Sequence, residues 1–154
     1  DPHSFVVSFR GLNVGVFTDS GRICENLIRN FRNCHAAFLE SNYDTEMLEN
    51  GGYPLILKNR IRGGVGHLSN TEALQLFLEH RPPFMSHLFL SHLSKNNNTP
   101  EIAHQLFQEV SGGTQIIVAP RNSETPVFEI DGKPVQKNIF LGKKRSVNQL
   151  ALFE

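Results

Sequence analysis

Ser86 to Glu101 reads S-H-L-F-L-S-H-L-S-K-N-N-N-T-P-E. The apolar run Leu88-Phe89-Leu90 stops at Ser91-His92, a polar loop follows, and Thr99-Pro100-Glu101 opens a helix, with Thr99 as cap and Pro100 at the first helical position. A buried strand that passes through a loop into a helix is the unit of a layered α/β domain. Open α/β sheets build their sites at the carboxyl edge of the strands, which is where this spacing predicts His92. A single histidine lacks the multi-ligand spacing of a metal centre. From spacing alone, a surface or hydrogen-bonded imidazole is the commoner case.

Outward from this stretch, strands and helices alternate. Residues 5–9 and 14–17 read as a hairpin with Gly11 and Asn13 supplying the turn. The second strand ends in Thr18-Asp19-Ser20-Gly21, so Asp19 stands at another strand tip. Residues 22–32 carry helical spacing (Ile23, Leu27, Ile28, Phe31), and 36–39 form a short buried strand ending at Glu40-Ser41-Asn42. Short helices are expected at 44–49 and 54–61. Gly63, Gly64 and Gly66 have no preceding strand and no following G-K-[ST], so they predict a loop rather than a nucleotide cradle.

Ser69 and Glu72 have capping-box spacing, and the helix they open runs to His80 with Leu74, Leu76, Phe77 and Leu78 available to the core. The helix opened by Thr99 has an apolar face of Ile102, Ala103, Leu106, Phe107 and Val110. Asn96, Asn97 and Asn98 read as loop formers, and His87, on the central strand, as structural. Residues 115–118 form a further strand. Residues 127–130 and 134–135 flank Asp131-Gly132, a hairpin signal.

At 154 residues the chain is one domain, large enough to bury about two-thirds of its unfolded surface. Its mean hydropathy of −0.27 is that of a soluble globular chain. No apolar run approaches the roughly 20 residues of a membrane span, and no signal peptide is visible. Cys24 and Cys34 form neither a disulfide framework nor a C-x-x-C pair, which favours a reducing cytoplasm. Zero net charge excludes nucleic-acid binding by bulk electrostatics but leaves room for a local basic groove. The sequence opens Asp-Pro-His without Met, as expected of a processed chain or a piece of a longer protein.

Four motifs occur in order: F-T-D-S-G from Phe17, F-L-E-S-N-Y-D-T-E-M-L-E-N-G-G-Y-P from Phe38, R-G-G-V-G-H-L-S-N from Arg62 and L-S-H-L-S-K-N-N-N-T-P-E-I-A from Leu90. Together they resemble the C-terminal half of a metallo-β-lactamase-fold hydrolase, with greatest similarity to the bacterial YycJ-like group, whose members are associated with DNA exonuclease activity. The resemblance covers residues 1–113. It implies half of an αββα sandwich over residues 1–140, a mixed sheet with outer helices, and a site with one or two divalent ions, Zn²⁺ or Mn²⁺.

By similarity Asp19 matches the aspartate that bridges two metals and His92 the last histidine ligand. The chemistry is consistent, since a carboxylate is a hard bridging donor and neutral imidazole binds Zn²⁺, Mn²⁺ or Fe²⁺. His67 matches a group motif and is expected either to contact a phosphate or leaving group or to be a loop histidine that caps the next helix. Asn42 and Asp44 are expected to line the site, and Glu40 to orient a neighbouring ligand. Tyr43 stands where close relatives often carry His. The family's H-x-H-x-D-H motif is absent from the chain. The catalytic residues and an N-terminal half are therefore expected elsewhere, and this portion alone is expected to be inactive. Its open apolar sheet face would be covered by that half or by another copy of the chain.

Residues 141–154 turn basic and loose. Gln149-Leu150-Ala151-Leu152-Phe153 resembles the Q-L-x-L-F peptide with which bacterial DNA proteins bind the sliding clamp. Leu150, Leu152 and Phe153 would fill an apolar pocket, with Gln149 at its rim. The same alternation also permits a terminal edge strand. Lys143, Lys144 and Arg145 would hold this tail near DNA phosphates. The resulting expectation is a metal-dependent phosphodiesterase acting on DNA. Its rivals are a non-catalytic interaction domain that acts through the tail, and a hydrolase of small esters that needs neither a DNA path nor a clamp peptide.

Overall fold

In the computed structural model, which describes residues 3–133, five strands lie side by side in chain order: β1 (Phe5–Phe9), β2 (Leu12–Phe17), β3 (Ala36–Glu40), β4 (His87–Ser91) and β5 (Gln115–Val118). β1 pairs antiparallel with β2, and every later pair is parallel. The expected strand and tail residues 134–135 and 141–154, including Gln149, Leu150, Leu152 and Phe153, lie outside the described residues.

The hairpin turn is tighter than its sequence suggested. Phe9 pairs with Leu12, so Arg10 and Gly11 alone make the turn, at φ 49° and 81°. Two positive φ values in a two-residue connection match the right-handed twist of the strands. Asn13 belongs to β2, where its side chain accepts from Ser8 and donates to the Asn33 carbonyl.

Each crossover advances one strand in the same direction, and right-handed connections then place their helices on one face. α1 (Glu25–Phe31), α4 (Asn70–His80) and α5 (Pro100–Gln108) pack there. They bury Leu27, Phe31, Ala73, Leu76, Phe77, Ala103 and Phe107 against Phe17, Leu39, Leu88, Leu90 and Ile116 of the strands. The capping box is complete, with the Ser69 hydroxyl accepting from the Glu72 N–H and the Glu72 carboxylate accepting from the Ser69 N–H. Leu78, expected in the core, is 56% exposed because it falls outside the buried stripe. α1 begins only at Glu25, three residues later than its spacing allowed.

Alternation sends the other side chains of each strand to the second face. Phe5, Val16, Phe38, Phe89 and Ile117 form one row across it. Residues 127–130 do not form a strand there. The segment after β5 instead lies on this face, with the Phe128 ring against Phe89 and His87 at centroid distances of 5.2 and 5.6 Å. Near Gly132, at φ 68°, it approaches Leu12 and His35. Part of the face expected to await a partner is thus covered by this chain itself. Phe5, Val7 and Phe9 of β1 stay exposed.

Candidate metal centre

The carboxyl ends of β2, β3 and β4 lie side by side, as the register pairs Phe17 with Leu39 and Glu40 with Ser91. Asp19 is two residues beyond β2, Glu40 ends β3, and His92 follows β4. A fourth group, His67, arrives from the segment between α3 (Leu55–Arg60) and α4. One ligand atom from each of these four residues lies within 4.8 Å of those of the others.

Glu40 is the fixed point. Its side chain is fully buried. Oε1 lies 2.7 Å from His67 Nδ1 and 2.8 Å from His92 Nδ1, while Oε2 accepts the Ser20 N–H at 2.9 Å. A carboxylate can only accept, so both Nδ1 atoms must be the donors. Each neutral imidazole is then left with its lone pair on Nε2, the arrangement by which carboxylates orient metal-binding histidines. The hydrogen bond that His92 donates to Glu40 holds the His92 pKa above the usual imidazole value. Burial opposes this shift, and the Glu40 and Asp19 charges reinforce it.

Asp19 Oδ1 lies 3.7 Å from His92 Nδ1, beyond hydrogen-bond range, and its side chain is half exposed. Asp19 and His92 both have φ of 58°. Asn42 holds the second of these conformations: its side-chain N–H donates to the His92 carbonyl at 2.6 Å, its backbone N–H donates to Leu68, and its carbonyl accepts from Ser94. One residue thereby fastens both the His67 and the His92 segments. Gly21 lets the Asp19 loop lie close against residues 64–66, since any Cβ there would lie 2.7 Å from their backbone.

Two residues from the sequence reading stand elsewhere. Asp44 caps α2 (Thr45–Asn50), its carboxylate accepting from Met47 N–H at 2.9 Å, and it does not line the cleft over the cluster. Tyr43 is buried, and burial raises its phenol pKa. The asparagine run exceeds its expected role as a loop former. Asn98 is buried and exchanges two amide hydrogen bonds with Asn70, at 3.0 and 2.8 Å, while donating to the Ser41 carbonyl. Ser41 Oγ in turn donates to Asn70 at 2.6 Å. This network ties the end of β3 to the start of α4 and to the loop before α5.

The cleft above the cluster measures about 580 Å³ and is walled by Leu57, Ile61 and Val65, with Arg60, Lys95 and Arg121 as its cations. No motif or spacing pointed to these cations. They are scattered over 60 residues and only the fold gathers them.

No protein-family profile matches the chain. Exodeoxyribonuclease YycJ of Bacillus anthracis is 30% identical over 110 residues, which is 71% of this chain and 42% of that protein. Exodeoxyribonuclease WalJ of Streptococcus pneumoniae (strain D39) is 34% identical over 89 residues, 58% of this chain and 33% of that protein. The chain is homologous to these exodeoxyribonucleases. It spans less than half the length of the curated relatives it matches. The YycJ-like resemblance read from four ordered motifs is thus borne out, and a five-stranded mixed sheet with helices on one face is compatible with half of a metallo-β-lactamase fold. Among the described residues no helix is long and apolar enough to cross a membrane.

Proposed function

We propose that this YycJ-like chain contributes part of a metal-dependent phosphodiesterase site that hydrolyses DNA. The observation that carries this reading is the convergence of Asp19, His67 and His92 around a buried carboxylate. The donor chemistry fits a divalent ion: two imidazoles have their Nδ1–H bonds committed to Glu40, and beside them is a carboxylate without a hydrogen bond among the described residues. The exodeoxyribonuclease names of the relatives favour DNA over a small ester.

Asp19 and His92 would hold the ion, Zn²⁺ or Mn²⁺. When bound, it supplies Lewis acidity and an activated water for in-line displacement at phosphorus. Glu40 fixes both imidazole tautomers and holds His67 toward the reacting phosphate or leaving group. Asn42 keeps the His92 backbone in place. The residue that takes the proton from water is expected outside these 154 residues, since H-x-H-x-D-H is absent. The exposed β1 side chains are consistent with that outside portion packing on the second sheet face.

The test is calorimetric titration of the whole protein with Mn²⁺ and Zn²⁺, followed by hydrolysis of end-labelled DNA. Asp19→Ala and His92→Ala should each abolish tight metal binding and hydrolysis. Hydrolysis that persists in both variants overturns the assignment. The absent ligand motif favours one alternative, a non-catalytic domain acting through Gln149, Leu150, Leu152 and Phe153 on a sliding clamp. It predicts clamp binding with no metal-dependent hydrolysis.

A further inference from the structure

A second cleft, of about 650 Å³, adjoins the first. The two share His92, Leu93, Ser94, Lys95 and Arg121, so they meet along this stretch, with Asp19 and His67 of the metal cluster on the side of the first. On the α3 side the walls are apolar, from Leu57, Ile61 and Val65, with Arg60 beside them. On the β5 side they are again apolar, from Val118, Ala119 and Pro120. Lys95 and Arg121 stand on the stretch shared by both halves. Arg121 donates to the Leu93 carbonyl, which anchors its guanidinium next to His92. Among the described residues neither Arg60, Lys95 nor Arg121 is paired with a carboxylate.

Cations along a groove follow a phosphate backbone, and apolar walls beside them suit base faces. In a duplex the base faces are stacked away, and such walls would meet nothing.

We propose that this groove seats one unpaired DNA strand across the metal cluster, with Lys95 and Arg121 gripping the phosphates on either side of the cleavage position. The unpaired strand is either single-stranded DNA or the frayed terminus of a duplex. This assignment rests on the nuclease reading above and deepens it.

The experiment measures binding of fluorescent oligothymidylate to the whole protein across a salt series, for wild type and Lys95→Gln/Arg121→Gln. Neutralising two phosphate contacts should flatten the slope of log K against log salt by about 1.4 and weaken binding at least tenfold at low salt. Mn²⁺ affinity and the melting temperature should be unchanged. Lys95→Arg/Arg121→Lys should restore the slope. An unchanged slope overturns the groove assignment. Loss of Mn²⁺ binding or of the fold in the Gln variant also counts against it, because those cations would then be structural. A second arm compares a four-nucleotide overhang with a blunt end whose terminal pairs are cross-linked. Strong preference for the overhang supports the unpaired strand, and equal binding overturns it. Hydrolysis with an unchanged slope sinks the groove alone. A flattened slope without metal-dependent hydrolysis sinks the nuclease reading alone.

Discussion

Asp19 and His92 share a left-handed backbone, φ 58° at each, on loops beyond the two strands that flank β3. For a residue with a Cβ this conformation costs about 1–2 kcal/mol, somewhat less for Asp. Both side chains are drawn to the same spot, 3.7 Å apart. Backbone strain that coincides with convergent donor groups is the pattern expected of a binding site.

Asp19→Gly and Asp19→Ala should therefore differ in stability although both remove the same carboxylate. Glycine adopts positive φ without a Cβ clash and alanine does not. In urea denaturation the glycine variant should be the more stable by about 1 kcal/mol, while calorimetry shows metal binding lost in both. An alanine variant as stable as the glycine variant would contradict the strain.

Glu40→Gln should damage both stability and metal binding. The substituted amide offers one acceptor oxygen where the His67, His92 and Ser20 donors converge, and its NH₂ group would face the Ser20 N–H or an imidazole N–H. Loss of buried, charge-assisted hydrogen bonds predicts about 2–4 kcal/mol of destabilisation. Freeing both imidazoles predicts a 10–100-fold fall in metal affinity, roughly the effect known for partners of metal-binding histidines.

Asn98→Ala should cost about 2–3 kcal/mol, because it leaves the Ser41 carbonyl and the Asn70 amide without their buried partner. Asn96→Ala is the control. Asn96 is exposed, its side chain donates to the Tyr53 hydroxyl, and the change should stay within about 0.5 kcal/mol. Chemical denaturation of the two variants side by side checks the contrast.

The two cysteines should behave oppositely. Cys24 is exposed and Cys34 buried, and burial pushes the Cys34 thiol up to about 11. An aromatic disulfide reagent at pH 8 should modify one thiol rapidly and the second only after unfolding. The sign of the pH effect follows from the raised value. The buried neutral thiol contributes stability in full below the unfolded value near 9.0, and that contribution is lost as pH rises through about 11. Stability measured between pH 8 and pH 10.5 should fall more steeply in wild type than in Cys34→Ala.

The strands were legible because their signals are local. β1 and β5 lie where β-branched and aromatic runs predicted them, and Ser69 and Glu72 announced α4. Residues 127–130 carry the same kind of signal but form no strand, since their hydrophobic partner is the face of β4 rather than a neighbouring backbone. Strand tips and motif resemblance led to the expectation that Asp19 and His92 converge, and their side chains do come together. Asp44, expected to line the site, caps α2, and sequence alone does not separate a capping carboxylate from one that lines a cleft. Arg121 joins the groove from beyond β5, a juxtaposition that no spacing of 29 residues could reveal.

β1 has a wider consequence for handling the molecule. It is an edge strand, its outer N–H and C=O groups have no neighbour in the sheet among the described residues, and Phe5, Val7 and Phe9 are exposed on it. Such a margin is adhesive, able to recruit the same strand of another molecule. Concentrated preparations of this chain will accordingly tend toward clumping, and a single lysine at position 7 is the simplest solubilising change, since it leaves the helix-packed side untouched.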